Sequence, residues 1–533
     1  MSAAVYARLR VADPARWRAV ARVWRRWATL AGRLADRLTA DLVRLGAAWS
    51  GAAASAATAR VTTLRRGLTV VRLLCWQADQ AASEFAAALD RAKRLLARAL
   101  ATARRAGLTI DDEGIVRGAP TDPTVTGPVS ADLAAAFAIA DRADDVAAAR
   151  LTEIAAATGH PAVPPGPARP ACTATPAEVR RWWAALSPAE RQWLLVTEPG
   201  SLAPLDGIPA ADRDAANRLL LDERRAELDQ ALATAAAGDR RRLRELRQGL
   251  DALADRLDDD SGPRAYLLRL DLSEEGRVVI ALGDPDRADN VVTHVPGMTA
   301  ELARFGGELT RAERVADRAT ELSPAASTSA VLWLDYDAPD FVDEAASARR
   351  AEAGAPALRR FQDGLRAGGP ARQTVIGHSY GSLVVGKAAA GGFTADNLVF
   401  VGSPGVGVDS ARDLTGRVWA TTSSSDVIEY AAPAPCWWRP LSRPPGCRRG
   451  TFGSATTRAI RRSARTPSTA APARATSAIG TEAARRWTRW RPSRWAPPDE
   501  SAAPPGDSWA PPDESAAPPG DSWAPPDERP TRR

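Results

Sequence analysis

The stretch TVIGHSYGSLVVGKAAA, residues 374–390, decides how the rest of the chain is read. Val375 and Ile376 are a β-branched pair suited to a buried strand, and a small-residue helical pattern begins at Gly381. Between them stands Gly377-His378-Ser379-Tyr380-Gly381, a Gly-X-Ser-X-Gly motif with a strand before it and a helix after it. In that setting the chain makes a sharp turn that pushes the serine up at the end of the strand. Gly377 and Gly381 then occupy places where a Cβ would collide with a neighbouring strand or helix. The helix N-terminus lies behind the serine Oγ. Ser379 is therefore the candidate nucleophile, with Gly377, His378 and Gly381 forming the elbow around it.

The flanks extend the same pattern. Tyr266–Asp271 and Val278–Leu282 bracket a Ser-Glu-Glu-Gly turn and predict a β-hairpin. Asn290–Val295 predicts a third strand, which runs into Pro296-Gly297-Met298. A helix (about Ala300 to Ala319), the strand Val331–Leu334, a helix (Ala345 to Ala367) and the elbow follow, then strands at Leu398–Val401 and Val418–Thr421. Alternating strands and helices predict an α/β domain over 261–432: a mostly parallel, doubly wound sheet with the opening hairpin as its antiparallel edge.

An all-α region precedes it. From Pro14, a favourable first-turn residue, Trp17, Val20, Val23, Trp27, Leu30, Leu34, Leu38 and Leu42 recur at helical spacing and predict a buried face. Trp49-Ser50-Gly51 breaks the pattern, and a second helix runs from about Ala52 to Arg105, so 1–110 is read as a helical hairpin. Pro120, Pro123 and Pro128 mark 111–129 as a linker. Residues 130–260 are helical again: one helix covers about Ser130 to Thr158, and a capped start at Thr175-Pro176-Ala177-Glu178 leads into Trp182, Trp183 and Trp193. The charged run Leu219 to Asp258 is read as one helix, either a solvated face or a short coiled coil. Beyond residue 432 apolar periodicity stops, and a repeated Trp-Ala-Pro-Pro-Asp-Glu opens at Trp495, Trp509 and Trp523; 433–533 is read as a disordered tail.

Composition narrows the function classes. A chain of 533 residues suggests about two to four domains. The net charge of +7 sits in the tail, where residues 436–533 hold 17 arginines against 9 acidic residues. The body is close to neutral, which argues against a nucleic-acid partner. Cys75, Cys172, Cys436 and Cys447 lack metal spacing and are read as free thiols, with no metal and no cofactor expected. No apolar run approaches the roughly 20 residues of a membrane span. Without a charged-then-apolar start, the expectation is a cytoplasmic protein, unless it leaves by a type VII route that needs no such signal.

Two resemblances add to this reading. The hairpin with Trp49-Ser50-Gly51 at its turn resembles the small Trp-X-Gly proteins of type VII secretion, which implies a secretion-system component or another helical protein as partner. The Tyr-X-X-X-Asp/Glu export signal of such proteins is not matched: Tyr6 is followed at the fourth place by Arg10. The segment Leu205-Asp206-Gly207-Ile208-Pro209, together with the elbow, resembles an actinobacterial α/β-hydrolase family of largely unassigned function over roughly residues 178 to 430. That resemblance implies a serine hydrolase acting on a small-molecule or lipid ester, or on an amide.

Such chemistry needs a nucleophile, a base, an acid to orient the base, and donors for the oxyanion. The first donor is the backbone N–H of Tyr380. Resemblance to other α/β-hydrolases puts the second at Gly297 or Met298. Chain order places the acid after the serine, at Asp426, with Asp409 second. The base is missing: the histidines are His160, His294 and His378, and none follows Ser379. His294 is read as a structural residue of its loop, and His378 as pointing away from the partners of Ser379. The family's histidine is expected where the chain turns into Cys436-Trp437-Trp438-Arg439-Pro440, a composition break that suggests a shifted frame or a replaced C-terminus. The expectation is a hydrolase with weak or absent ester activity, the alternative an inactive interaction protein.

Overall fold

The computed structural model describes residues 3–118, 123–157, 166, 168–393 and 395–423. After α1 (Ala3–Val11), helix α2 (Pro14–Ala48) starts where its cap dictates. The Asp13 carboxylate accepts from the Ala15 N–H at 2.9 Å, and Pro14 fills the first turn. Gly51, at φ +100°, turns the chain into α3 (Ala52–Arg105). The buried α2 positions beyond Pro14 are Ala21, Ala28, Ala31 and Gly32, whereas Val23, Trp27, Leu30 and Leu34 are exposed. Ala28 packs with Leu73, Cys75 and Trp76 of α3, and the side chain of Arg72 lies over Gly32. Small side chains let two helix backbones approach closely, which leaves the large ones on the flank.

The stretch read as a linker carries structure. β1 (Thr109–Ile110) and β2 (Val116–Arg117) pair antiparallel, and α4 (Pro123–Ala157) begins earlier than predicted, with Pro128 inside it. Pro123 stands at the helix start, where a missing N–H costs least. Capping boxes, Thr175 with Glu178 and Ser187 with Glu190, open α5 (Pro176–Ala185) and α6 (Pro188–Thr197). The charged run is two helices rather than one. After α7 (Pro199–Leu202), α8 (Ala210–Thr234) and α9 (Arg240–Asp258) are parted at extended Ala235. Nor is α9 merely a solvated face: Leu246, Leu250, Leu253 and Leu257 join the core beneath the sheet.

Among the described residues seven strands make that sheet: β3 (Ala265–Asp271), β4 (Arg277–Leu282), β5 (Asn290–Val295), β6 (Thr328–Leu334), β7 (Arg372–His378), β8 (Asn397–Val401) and β9 (Arg417–Thr421). Helices α10 (Phe305–Leu322), α11 (Val342–Ala345), α12 (Arg349–Gly368) and α13 (Gly381–Ala390) interleave with them. The order is β3-β4-β6-β5-β7-β8-β9, and β4 alone runs against its neighbours. The hairpin therefore contributes its antiparallel strand one place in from the edge. Val278–Leu282 and Ala330–Leu334 are buried throughout, as strands covered on both faces must be. From β5 the chain steps to β6 on one side, and from β7 it steps to β8 on the other. The loops leaving β5 and β7 therefore diverge and open a crevice at their carboxyl ends, the place where sheets of this kind bind ligands.

Buried charges fasten the helices to the sheet. Arg264, just before β3, pairs with Asp79 of α3 and, at 3.2 Å, with Asp214 of α8. Asp214 also holds Arg218 at 2.8 Å and the Leu267 N–H at 2.8 Å. The Leu205–Pro209 segment serves the same junction. The Asp206 carboxylate accepts from Arg213 at 2.8 Å, and Gly207, at φ +102°, lies against the Pro176 carbonyl. His160, Asp426 and the tail predicted to be disordered lie outside the described residues.

Candidate active site

The crevice holds the turn between β7 and α13. β5 and β7 pair in parallel register, His294 opposite Ile376 and Val295 opposite Gly377, so the ends of the two strands lie side by side. Ser379 follows directly, partly exposed, with φ +51°. A non-glycine residue in the left-handed region costs about 1–2 kcal/mol and persists only where its surroundings enforce it. Here the Ser379 N–H donates to the Val401 carbonyl at 3.0 Å, and its own carbonyl accepts from the Ser382 N–H at 3.0 Å. The Ser382 hydroxyl donates to the Gly377 carbonyl at 2.9 Å and closes the turn from beneath.

The glycines are required by space. A Cβ on Gly377 would come within 2.7 Å of the Ser382 Cα, and one on Gly381 would land on the carbonyl oxygens of Val295 and Pro296. A Cβ on Gly297 would lie 2.7 Å from the Ser379 Cβ and 3.2 Å from its Oγ. The loop after β5 thus passes directly beside the serine. Tyr336, just past β6, anchors that loop by donating its hydroxyl to the Pro296 carbonyl at 2.6 Å. Further along, Thr299 sits at φ +60° with its N–H donating to the Pro339 carbonyl at 2.9 Å. Glu274, Thr299 and Ser379 are the non-glycine residues with positive φ among the described residues. Ser379 and Thr299 both belong to this crevice. The reading of the sequence did not single out Tyr336; a tyrosine just beyond a buried strand end was the available signal.

The Tyr380 side chain turns inward, its hydroxyl donating to the Ser347 carbonyl at 2.6 Å and accepting from the Ala351 N–H at 3.2 Å. Burial, partly offset by that N–H, raises its pKa above the usual tyrosine value. The backbone N–H is what this residue can offer to a ligand. His294 is buried, with Nε2 2.9 Å from the Glu308 carboxylate on α10, and its ring stacks on His378 at 6.3 Å. Burial pushes the Glu308 carboxyl up, but hydrogen bonds and charge from His294 and Arg311 prevail and hold it below the usual range. Asp409 is exposed in the loop after β8. Asp335, at the end of β6, has a pKa raised to about 6 by burial against the pull of Arg269. It bonds Arg269 of β3 at 2.8 Å and faces that side of the sheet, away from β7. Hollows lined by Glu275, Arg277 and Asp337 and by Ile208, Arg213 and Phe361 do not reach Ser379.

Among the described residues no group of three or more His, Cys, Asp or Glu is placed to hold a metal ion, and no helix is long and apolar enough to cross a membrane.

Comparison with known proteins agrees with this geometry. Residues 271–435 match the family described as alpha/beta hydrolase. The chain is 34% identical over 301 residues to an uncharacterized protein of Mycobacterium tuberculosis strain H37Rv, covering 50% of this chain and 44% of the relative. It is 31% identical over 189 residues to an uncharacterized protein of Mycobacterium bovis, covering 33% of this chain and 69% of the relative. The match thus spans less than half the length of the first of these. No solved structure matches the chain.

Proposed function

The chain belongs to the α/β-hydrolase family, and from that premise we propose that it is a serine hydrolase of impaired turnover, acting through Ser379 on an ester, lipid or amide acyl bond. The observation that carries this reading is the left-handed backbone at Ser379, held against Gly297. A strained, glycine-walled serine at the mouth of the crevice is what acyl transfer needs and what a purely structural turn does not. The backbone N–H of Tyr380 and that of Gly297 or Met298 are the proposed oxyanion donors, and Asp426, or second Asp409, the proposed acid. No cofactor enters the scheme, and the proposed compartment is the cytoplasm.

The impairment follows from the base. No histidine follows Ser379, and His294 is engaged by Glu308. A unit of this kind without its base keeps only the contribution of oxyanion donors and binding, about 10³–10⁴ over water. The test is a fluorophosphonate probe on the full chain and its Ser379→Ala variant, with a short-chain ester assay beside it. Slow labelling at Ser379, lost in the variant, with ester turnover near background, is the expected result. Fast turnover abolished by Ser379→Ala would overturn the impairment, and absence of labelling would overturn the nucleophile.

The missing histidine also favours a second reading, an inactive hydrolase-fold interaction protein linked to type VII secretion. Trp49-Ser50-Gly51 at the turn between α2 and α3 supports it. On that reading the probe does not react.

A further inference from the structure

The end of the α2–α3 pair is built unlike the rest of the molecule. Between residues 33 and 72 neither helix has a buried residue, so this stretch stands free of the core. Residues 45–59 carry no charged side chain, and Leu45 and Trp49 are exposed by 49% and 43%. Arg44 and Arg60 bound this uncharged end, one on each helix. From Leu42 to Ala78 there is no acidic residue, while Arg44, Arg60, Arg65, Arg66 and Arg72 all fall within it. Counter-charges are few: Asp41 pairs with Arg44, Asp36 of α2 lies near Arg72 and Arg65, and Asp222 of α8 takes Arg72 at the root.

We propose that this hairpin end inserts into the headgroup layer of an anionic lipid surface. At 1.5 Å per helical residue, Arg44 lies about 8 Å below Trp49 and Arg60 about 13 Å from Gly51. An apolar element at a membrane surface sinks about 5–10 Å, which brings the arginine collar to the phosphates. Tryptophan at the turn suits the polar–apolar boundary, and arginine stems can extend along the helices toward it. A groove-binding helical partner would read one stripe of side chains. Here Val43 and Leu45, two positions apart, point to opposite sides of α2, and alanines surround Trp49 on both helices. A fluid layer closes around all sides of such an end, whereas a groove does not. The surplus of arginine supplies the charge complementarity with anionic headgroups.

The experiment is flotation of the full chain with vesicles of phosphatidylcholine and phosphatidylglycerol at 70:30, and with pure phosphatidylcholine, at low and high salt. The intact chain should float with the anionic vesicles at low salt, and less so at high salt or with neutral lipid. Arg44→Gln with Arg60→Gln should weaken partitioning roughly twentyfold to thirtyfold, at about fivefold per arginine. Trp49→Ser should weaken it while leaving the melting curve unchanged, since the side chain is exposed. Free phosphate at equal charge should not compete; competition would reassign the site to a soluble anion and overturn the lipid proposal. Equal flotation of parent and variants, or none at all, overturns it, as does an acidic helical protein that binds this end in the absence of vesicles while vesicles do not.

Discussion

Ser379 holds an unfavourable backbone conformation because three neighbours leave it no other. The Val401 carbonyl takes its N–H, the turn closes through Ser382, and the Gly297 backbone passes where any side chain would press on it. Gly297→Ala tests that close approach with a single added carbon. Its Cβ would lie 2.7 Å from the Ser379 Cβ, so either the loop or the serine must move. We expect fluorophosphonate labelling to slow by about a hundredfold or more, the order of loss seen when an oxyanion donor is removed. Labelling at the parent rate would mean that the loop is not part of the reactive constellation. The motif around Ser379 was legible in the sequence, because glycine spacing and flanking hydrophobicity are local. The anchor at Tyr336 was not, because its partner, the Pro296 carbonyl, is 40 residues away in the chain.

Elements meet through groups whose charge states depend on one another. Asp284, in the turn after β4, faces Arg150 of α4 at 3.4 Å, with Arg287 at 3.4 Å on its own turn. Arg150 also holds Glu84 of α3 at 2.7 Å, and Glu84 takes the Tyr266 hydroxyl of β3. Burial first, then the charges of Glu84 and Asp286, push Asp284 up to about 7, against the pull of Arg150 and Arg287. A carboxyl raised in the folded state holds its proton more tightly there than in the unfolded chain. Its contribution to stability is therefore complete below the ordinary carboxylate range and is lost as pH rises through about 7. Asp284→Asn, uncharged at every pH, should gain stability relative to the parent at pH 8 more than at pH 5, read from urea midpoints. An equal difference at both pH values would show that Asp284 does not titrate in this window. Helix packing teaches a similar lesson at this scale: periodicity marks Val23, Trp27 and Leu30 as one face of α2, but the distance between α2 and α3 decides that alanines fill the contact.

Within the described residues, the helical region and the sheet are joined by a shared core and by Arg264. Helix α8 places Ala210, Leu221 and Leu228 among the side chains under the sheet, and Ala215 and Ala216 among those around Trp183. Arg264 satisfies two buried carboxylates from different helices, Asp79 and Asp214. Replacing it by leucine leaves both without that partner, and removing one member of a buried ionic group costs about 3–5 kcal/mol. Arg264→Leu should lower stability by that order while the parts still unfold together. Separate transitions by tryptophan fluorescence and by far-ultraviolet circular dichroism would show that helices and sheet are independent.

The sequence by itself determined the α/β class, the strand–turn–helix around Ser379 and the strand and helix order beside it, because these follow from side-chain periodicity and from glycine placement within a few residues. It also determined that no histidine follows the serine. Only the tertiary structure decided that β6 lies outside β5, that α2 and α3 meet through alanine, and that the Leu205–Pro209 segment fastens helices to sheet. Those outcomes depend on contacts between residues far apart in the chain. They are selected by the packing of whole elements, of which local spacing carries no record.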